Sequence, residues 1–142
     1  MYNEINNNYT NNEDLFSSGG LVPYRSVGFD CEWVTIDGKR NPVSLVQLSS
    51  YDGYCALIRL NHLKQVPDSL KEFLEDTEIY KVGVAPSQDA NYLFCDYSVG
   101  LRSTLDIRHI VLKCGYNHGG LASLAKSQLG VILDKSWRGE FN

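Results

Sequence analysis

The sequence has no apolar run approaching the ~20 residues that a membrane-spanning helix requires; stretches such as residues 54–58 stop far short. No basic segment followed by an apolar one opens it, so a secretory leader is not expected and an intracellular location is. None of its four cysteines, Cys31, Cys55, Cys95 and Cys114, belongs to a C-x-x-C pair, which leaves a zinc site unsupported. Each has apolar neighbours and is expected to be a buried free thiol. Positive charge is scarce as well. Thirteen Lys+Arg against 17 Asp+Glu give a net charge of −4, which argues against a protein that holds nucleic acid by bulk charge, though not against an enzyme that meets a polyanion through metal ions. Ser49-Ser50 lacks the Gly-x-Ser-x-Gly elbow, and neither Gly19-Gly20 nor Gly119-Gly120 has the spacing or lysine of a phosphate loop. His62, His109 and His118 have no metal-spaced partner and read as surface or turn residues. Nucleophilic catalysis has no support.

What is present describes one globular domain. A chain of 142 residues, 43% hydrophobic, buries roughly 68–70% of its unfolded surface. Residues 1–20 are polar and Asn-rich and read as a disordered tail; residues 21–142 read as the domain. Val27, Phe29, Cys31 and Trp33 alternate with Gly28, Asp30 and Glu32, the period of a strand. Further strands are expected at 43–49 and 54–60, joined across 51–53 as a hairpin and completing an antiparallel meander. A helix opened by Pro67 carries Val66, Leu70, Phe73 and Leu74. The apolar run 79–84 reads as a buried strand parallel to the first. Pro86 and Ser87 then open a helix with the stripe Ala90, Leu93, Phe94 and Tyr97. A short strand at 103–105 is followed by two helices, carrying Ile107, Ile110, Val111 and Cys114, then Leu121, Leu124, Ala125 and Leu129, the last stopped by Gly130. The order implies an α/β fold, a mixed sheet flanked by helices.

One segment carries chemistry. Asp30 and Glu32 share a strand face, about 6.6–7 Å apart along the backbone. Two such carboxylates repel by about 2 kcal/mol at an effective dielectric of 20, and a divalent cation with a taste for oxygen, such as Mg²⁺, reverses that sign. Spacing alone also allows a solvated acidic face. Asp89, in the first turn of the helix after the 79–84 strand, sits where α/β sheets place ligands. It equally suits a helix start, where the macrodipole favours an acid. Asp96, late in that helix, and Asp106, at a helix N-terminus, have weaker claims.

These residues carry a resemblance. Val27-Gly28-Phe29-Asp30-Cys31-Glu32-Trp33-Val34, then Ser44-Leu45-Val46-Gln47-Leu48, then Lys81-Val82-Gly83-Val84 followed by Asp89, resemble the DEDD-type 3′–5′ exonuclease domain in its Werner-type, RNase D-like branch. Leu121-Ala122-Ser123-Leu124-Ala125 and Leu133-Asp134-Lys135-Ser136 resemble that branch's later helix and loop, so the similarity covers residues 27–136. It implies an RNase H-like fold, Asp30, Glu32 and Asp89 as catalytic and metal-holding residues, two Mg²⁺ or Mn²⁺ ions, and a DNA or RNA 3′ end as substrate. It also implies a nuclear or mitochondrial location. Trp33 beside the acids could pack a terminal nucleotide, but strand alternation places it in the core.

The third motif of that family, Tyr-x-x-x-Asp or His-x-x-x-x-Asp on a helix beyond Ser136, is not found by residue 142. Counting from Tyr116, His109 and His118 lands on Gly120, Cys114 and Ser123, so no upstream substitute is expected. The expectation is a domain incomplete at its C-terminus through truncation, alternative transcription or an incomplete gene model. Such a chain is an impaired exonuclease or, alternatively, a non-catalytic nucleic-acid-binding or scaffolding remnant of the fold. Its uncovered apolar surface is expected to seek a protein partner or a second copy.

Overall fold

Val27, Phe29 and Cys31 are buried on one side of the first strand, while Gly28, Asp30 and Glu32 between them are half-buried. The computed structural model, which describes residues 25–117 and 119–134, builds its sheet around this strand, β1 (Ser26–Glu32). A hairpin follows, β2 (Thr35–Ile36) with β3 (Lys39–Arg40), turning through Asp37 and Gly38 at φ of 50° and 75°. Two successive positive φ values make the turn that matches strand twist, and glycine takes one of them without steric cost. β4 (Leu45–Ser49) runs antiparallel to β1, and β5 (Cys55–Arg59) antiparallel to β4, forming the expected meander. β6 (Tyr80–Gly83) runs parallel to β1, and β7 (Thr104–Asp106) parallel to β6. The sheet order is β5-β4-β1-β6-β7.

Helices α1 (Asp68–Glu75) and α2 (Pro86–Tyr97) pack Leu70, Leu74 and Leu93 onto Phe29, Cys31 and Val46 to form the core on one face. α3 (Ile107–Lys113) and α4 (Leu121–Leu129) bring Ile107 and Leu121 to the rim of a groove on the other face. Asp106 caps α3 by accepting the Arg108 N–H at 3.0 Å. Gly130 ends α4 in the left-handed conformation, as its position predicts. Among the described residues no helix is long and apolar enough to cross a membrane. The Asn-rich tail at 1–20, His118, and the Lys135-Ser136 end of the last resembling segment lie outside the described residues.

Several expected core residues face outward. Phe94 is 63% exposed, because the buried stripe of α2 is Pro86, Asp89 and Leu93 and the next residue is turned about 100° from it. Leu129 is exposed because it is turned away from Leu124, the buried residue of α4, and Ile110 is exposed on α3, which buries no residue. Cys31 is the buried thiol; Cys55, Cys95 and Cys114 are exposed, contrary to the composition-based expectation. Cys55 and Leu57 (68% exposed) belong to the sheet edge and border the open groove.

Candidate functional site

Asp30 and Glu32 belong to β1, and Asp89 to the helix that follows the parallel strand β6. β1 and β6 pair in parallel with Gly28 opposite Val82, so Asp30 and Glu32 lie toward the same ends from which the chain leaves β6 for α2. The carboxyl ends of parallel strands are the usual place for a ligand in such sheets. Gly83 closes β6 tightly against β1. Ala85 then turns through a left-handed conformation, φ 56° and ψ 42°, and Pro86 starts α2 with its fixed φ. Asp106 steadies this turn. Its carboxyl is drawn down to about 2 by the Arg108 guanidinium, with the N–H groups of Arg108 and Ala85 adding to the effect. Arg108 Nε lies 2.9 and 3.0 Å from its two oxygens.

Asp89 occupies the first turn of α2 and is only 5% exposed. Burial, and then the fields of Asp30 and Glu32, push its carboxyl up to about 7. The Cys31 thiol between the two strand acids registers the same neighbourhood. Burial first, then Asp89, Asp30 and Glu32, raise its pKa far above the usual thiol range, so it remains a protonated, inert core group. Three carboxylates from two distant parts of the chain therefore act on one locality. As the side chains stand, no group of three or more His, Cys, Asp or Glu among the described residues is drawn together closely enough to hold a metal ion. The donor chemistry fits one. The site offers hard carboxylate oxygens, and a mutual repulsion that a divalent cation relieves.

Asp30 also borders a groove of about 300 Å³ on the open sheet face, between Gln47 and Ser49 of β4, Leu57 of β5 and Ile107 and Leu121 from the helices. Trp33 is half-buried, packs against the core and meets Tyr92 edge-on at 4.8 Å between ring centroids. The structure thus assigns it the core role that alternation predicts. His62 and His109 are exposed.

One upstream pair stands outside the counts from Tyr116, His109 and His118. The Tyr-x-x-x-Asp spacing does occur upstream, once, at Tyr92 and Asp96 in α2. Asp96 is bound to Arg40 and to the Val43 N–H, and Tyr92 lies under the Arg40 guanidinium. This pair is therefore part of the scaffold. Arg40 itself had no signal in the sequence, because its partner lies 56 positions away and no motif links them.

A family model described as 3′-5′ exonuclease matches residues 4–139. The chain is 52% identical over 115 residues to exonuclease 3′-5′ domain-containing protein 2 of Drosophila melanogaster, covering 81% of this chain and 20% of that protein. The Homo sapiens protein of the same name is 42% identical over 124 residues, covering 82% and 20%. This chain thus spans about a fifth of the length of the curated relatives it matches. The crystal structure of the EXD2 exonuclease domain superposes with a TM-score of 0.61 at 37% identity, over 83% of this chain and 64% of that one. Crystal structures of that domain soaked in Mn, and in Mg and GMP, are similar to this chain as well.

Proposed function

The chain belongs to the 3′-5′ exonuclease family, and from that premise we propose that it acts on the 3′ ends of nucleic acid by metal-assisted hydrolysis, with Asp30, Glu32 and Asp89 as the metal-holding carboxylates. The observation that carries this reading is the burial of Asp89 within the fields of Asp30 and Glu32. Burying an acid beside two others costs the fold unless the acid holds its proton or a cation lowers the local negative charge. Two bound Mg²⁺ or Mn²⁺ ions would supply the charge that makes a hydroxide from water and steadies the leaving 3′ oxygen. The chain's own residues do the rest. β1 presents Asp30 and Glu32 on one face because Phe29 and Cys31 are locked in the core on the other. α2 carries Asp89 in its first turn, and the Asp89 carboxyl, raised to about 7, would give up its proton to a cation near neutral pH. The ions would also provide the positive charge toward a phosphodiester that a net −4 chain lacks.

A second reading has one observation in its favour. The Tyr-x-x-x-Asp pair of α2, Tyr92 and Asp96, is engaged with Arg40, so this pair does not orient an attacking water in the way the family's third motif does. The 142 residues assayed alone are accordingly expected to turn over slowly, since losing a positioned acid–base group typically costs 10²–10⁴ in rate. Such a chain would bind nucleic acid more readily than it cuts it. The test is release of nucleotides from 3′-labelled single- and double-stranded DNA and RNA with Mg²⁺ or Mn²⁺. Slow release abolished by Asp30→Asn supports the enzyme. Binding without any release supports the second reading, and neither binding nor release overturns both.

A further inference from the structure

The chain that leaves Glu32 is tied back to the helix that carries Asp89. Arg40, at the end of β3, forks onto Asp96 of α2: Nη1 donates to Oδ2 at 2.8 Å and Nη2 to Oδ1 at 2.7 Å. Asp96 Oδ2 also accepts the Val43 N–H at 2.9 Å, and the Tyr97 hydroxyl donates to the Val43 carbonyl. The next residue, Ser44, donates its N–H to the Glu32 carbonyl at 2.9 Å and its hydroxyl to the same oxygen at 3.1 Å. Hydrogen bonds at two adjacent residues, joined by the covalent backbone of Val43 and Ser44, therefore connect Asp96 to the peptide of Glu32. The same guanidinium lies 4.1 Å from the centre of the Tyr92 ring. Asp89, Tyr92 and Asp96 recur at helical spacing, so these contacts grip the side of α2 that bears Asp89.

A bidentate guanidinium–carboxylate pair fixes orientation as well as separation, and the Asp96 side chain is only 9% exposed, so water screens it little. We infer that Arg40 and Asp96 are positioning residues: their fork, acting through Val43 and Ser44, sets the spacing between Glu32 and the helix of Asp89, and so the gap a divalent cation must bridge. The inference rests on the metal-dependent reading above and concerns residues outside the acidic motifs. A tie of merely structural value would lower thermal stability and leave cation affinity unchanged well below the melting temperature.

The experiment compares the 142-residue chain with Arg40→Ala, Asp96→Asn and Arg40→Lys, using Arg25→Ala as a control at the exposed Arg25–Glu78 pair. Far-UV circular dichroism establishes folding, NMR hydrogen exchange reads the Ser44 amide, and electron paramagnetic resonance reads Mn²⁺ binding at 15 °C. Expected are faster exchange at Ser44 but not at Val82 in β6, and Mn²⁺ affinity weakened about tenfold, the low end for groups that orient metal ligands. Arg40→Lys recovers part of both, since lysine keeps the charge but loses the fork; it also serves if Arg40→Ala fails to fold. Unchanged exchange at Ser44 overturns the inference, as does faster exchange with unaltered Mn²⁺ affinity. If the wild-type chain holds no Mn²⁺, the metal reading falls, and the positioning of Glu32 is decided by Ser44 exchange alone.

Discussion

A Cβ placed on Gly83 would stand 2.5 Å from the carbonyl oxygen of Phe29. That carbonyl belongs to the peptide joining Phe29 to Asp30, so the closeness of β6 to β1 depends on a missing side chain. Backbone in a paired strand has no room to retreat. Gly83→Ala is expected to destabilise the domain by about 1–3 kcal/mol, the usual cost of overpacking, read as a lower urea midpoint. Gly28→Ala makes a useful contrast, because its Cβ would meet the Ser49 hydroxyl, the end of a side chain that can rotate away. It should cost less, and equal losses for the two variants would contradict the argument.

Asp89 predicts how stability depends on pH. Its carboxyl sits near 7 in the folded protein against an ordinary 3.8. Below about pH 4 it is protonated folded or unfolded and imposes no penalty. Between those values the unfolded chain releases the proton and the folded chain keeps it, so stability falls as pH rises. Above pH 7 the penalty is complete, on the order of 4 kcal/mol at 1.36 kcal/mol per pH unit. Asp89→Asn removes it. The variant should melt at least about 5 °C above the parent at pH 8, with the gap closing toward pH 4. A parallel pair of curves would show that Asp89 is not the titrating group.

The same acid should respond to a divalent cation. At pH 8, Mn²⁺ at about 100 times its dissociation constant is expected to stabilise the chain by about 2.7 kcal/mol, and chelation should reverse the gain. Asp30→Asn should abolish most of it. Calorimetric scans with and without Mn²⁺ measure this directly, and an equal gain in the variant would remove Asp30 from the site.

Lys81 is wholly buried, and its ammonium donates to the carbonyls of Asp76 at 2.5 Å and Ile79 at 2.9 Å. It thereby fastens the turn before β6. Lys81→Met keeps the apolar stem but strands both acceptors, with an expected loss of about 1–3 kcal/mol. Urea denaturation at an unchanged slope checks it; a variant as stable as the parent would show that packing alone holds the turn.

Much of this was legible in the residues. Alternation from Val27 to Glu32 decided which side of β1 faces the core, because a strand's period of two leaves no other arrangement that buries Phe29 and Cys31 together. Pro86 and the acid three positions later marked the start of α2. The helix stripes were less legible. A repeat of three or four tolerates a neighbouring residue, and Phe94 joined the predicted stripe although it faces outward beside the buried Leu93. Apolar character could not say that Cys55 and Leu57 would stand on an edge strand, since exposure there depends on strand order.

The sequence by itself determined most of the elements and their order, which follow from local periodicity. Asp30, Glu32 and Asp89 were singled out by the family resemblance, since spacing alone also allowed a solvated face and a helix start. Tertiary structure decided what those acids feel. Asp89 is raised because a parallel register and a glycine's close approach carry its helix to the end of β1, and Asp96 is neutralised because a hairpin swings Arg40 onto it. Electrostatic fields depend on distance through space, which spacing along the chain does not record.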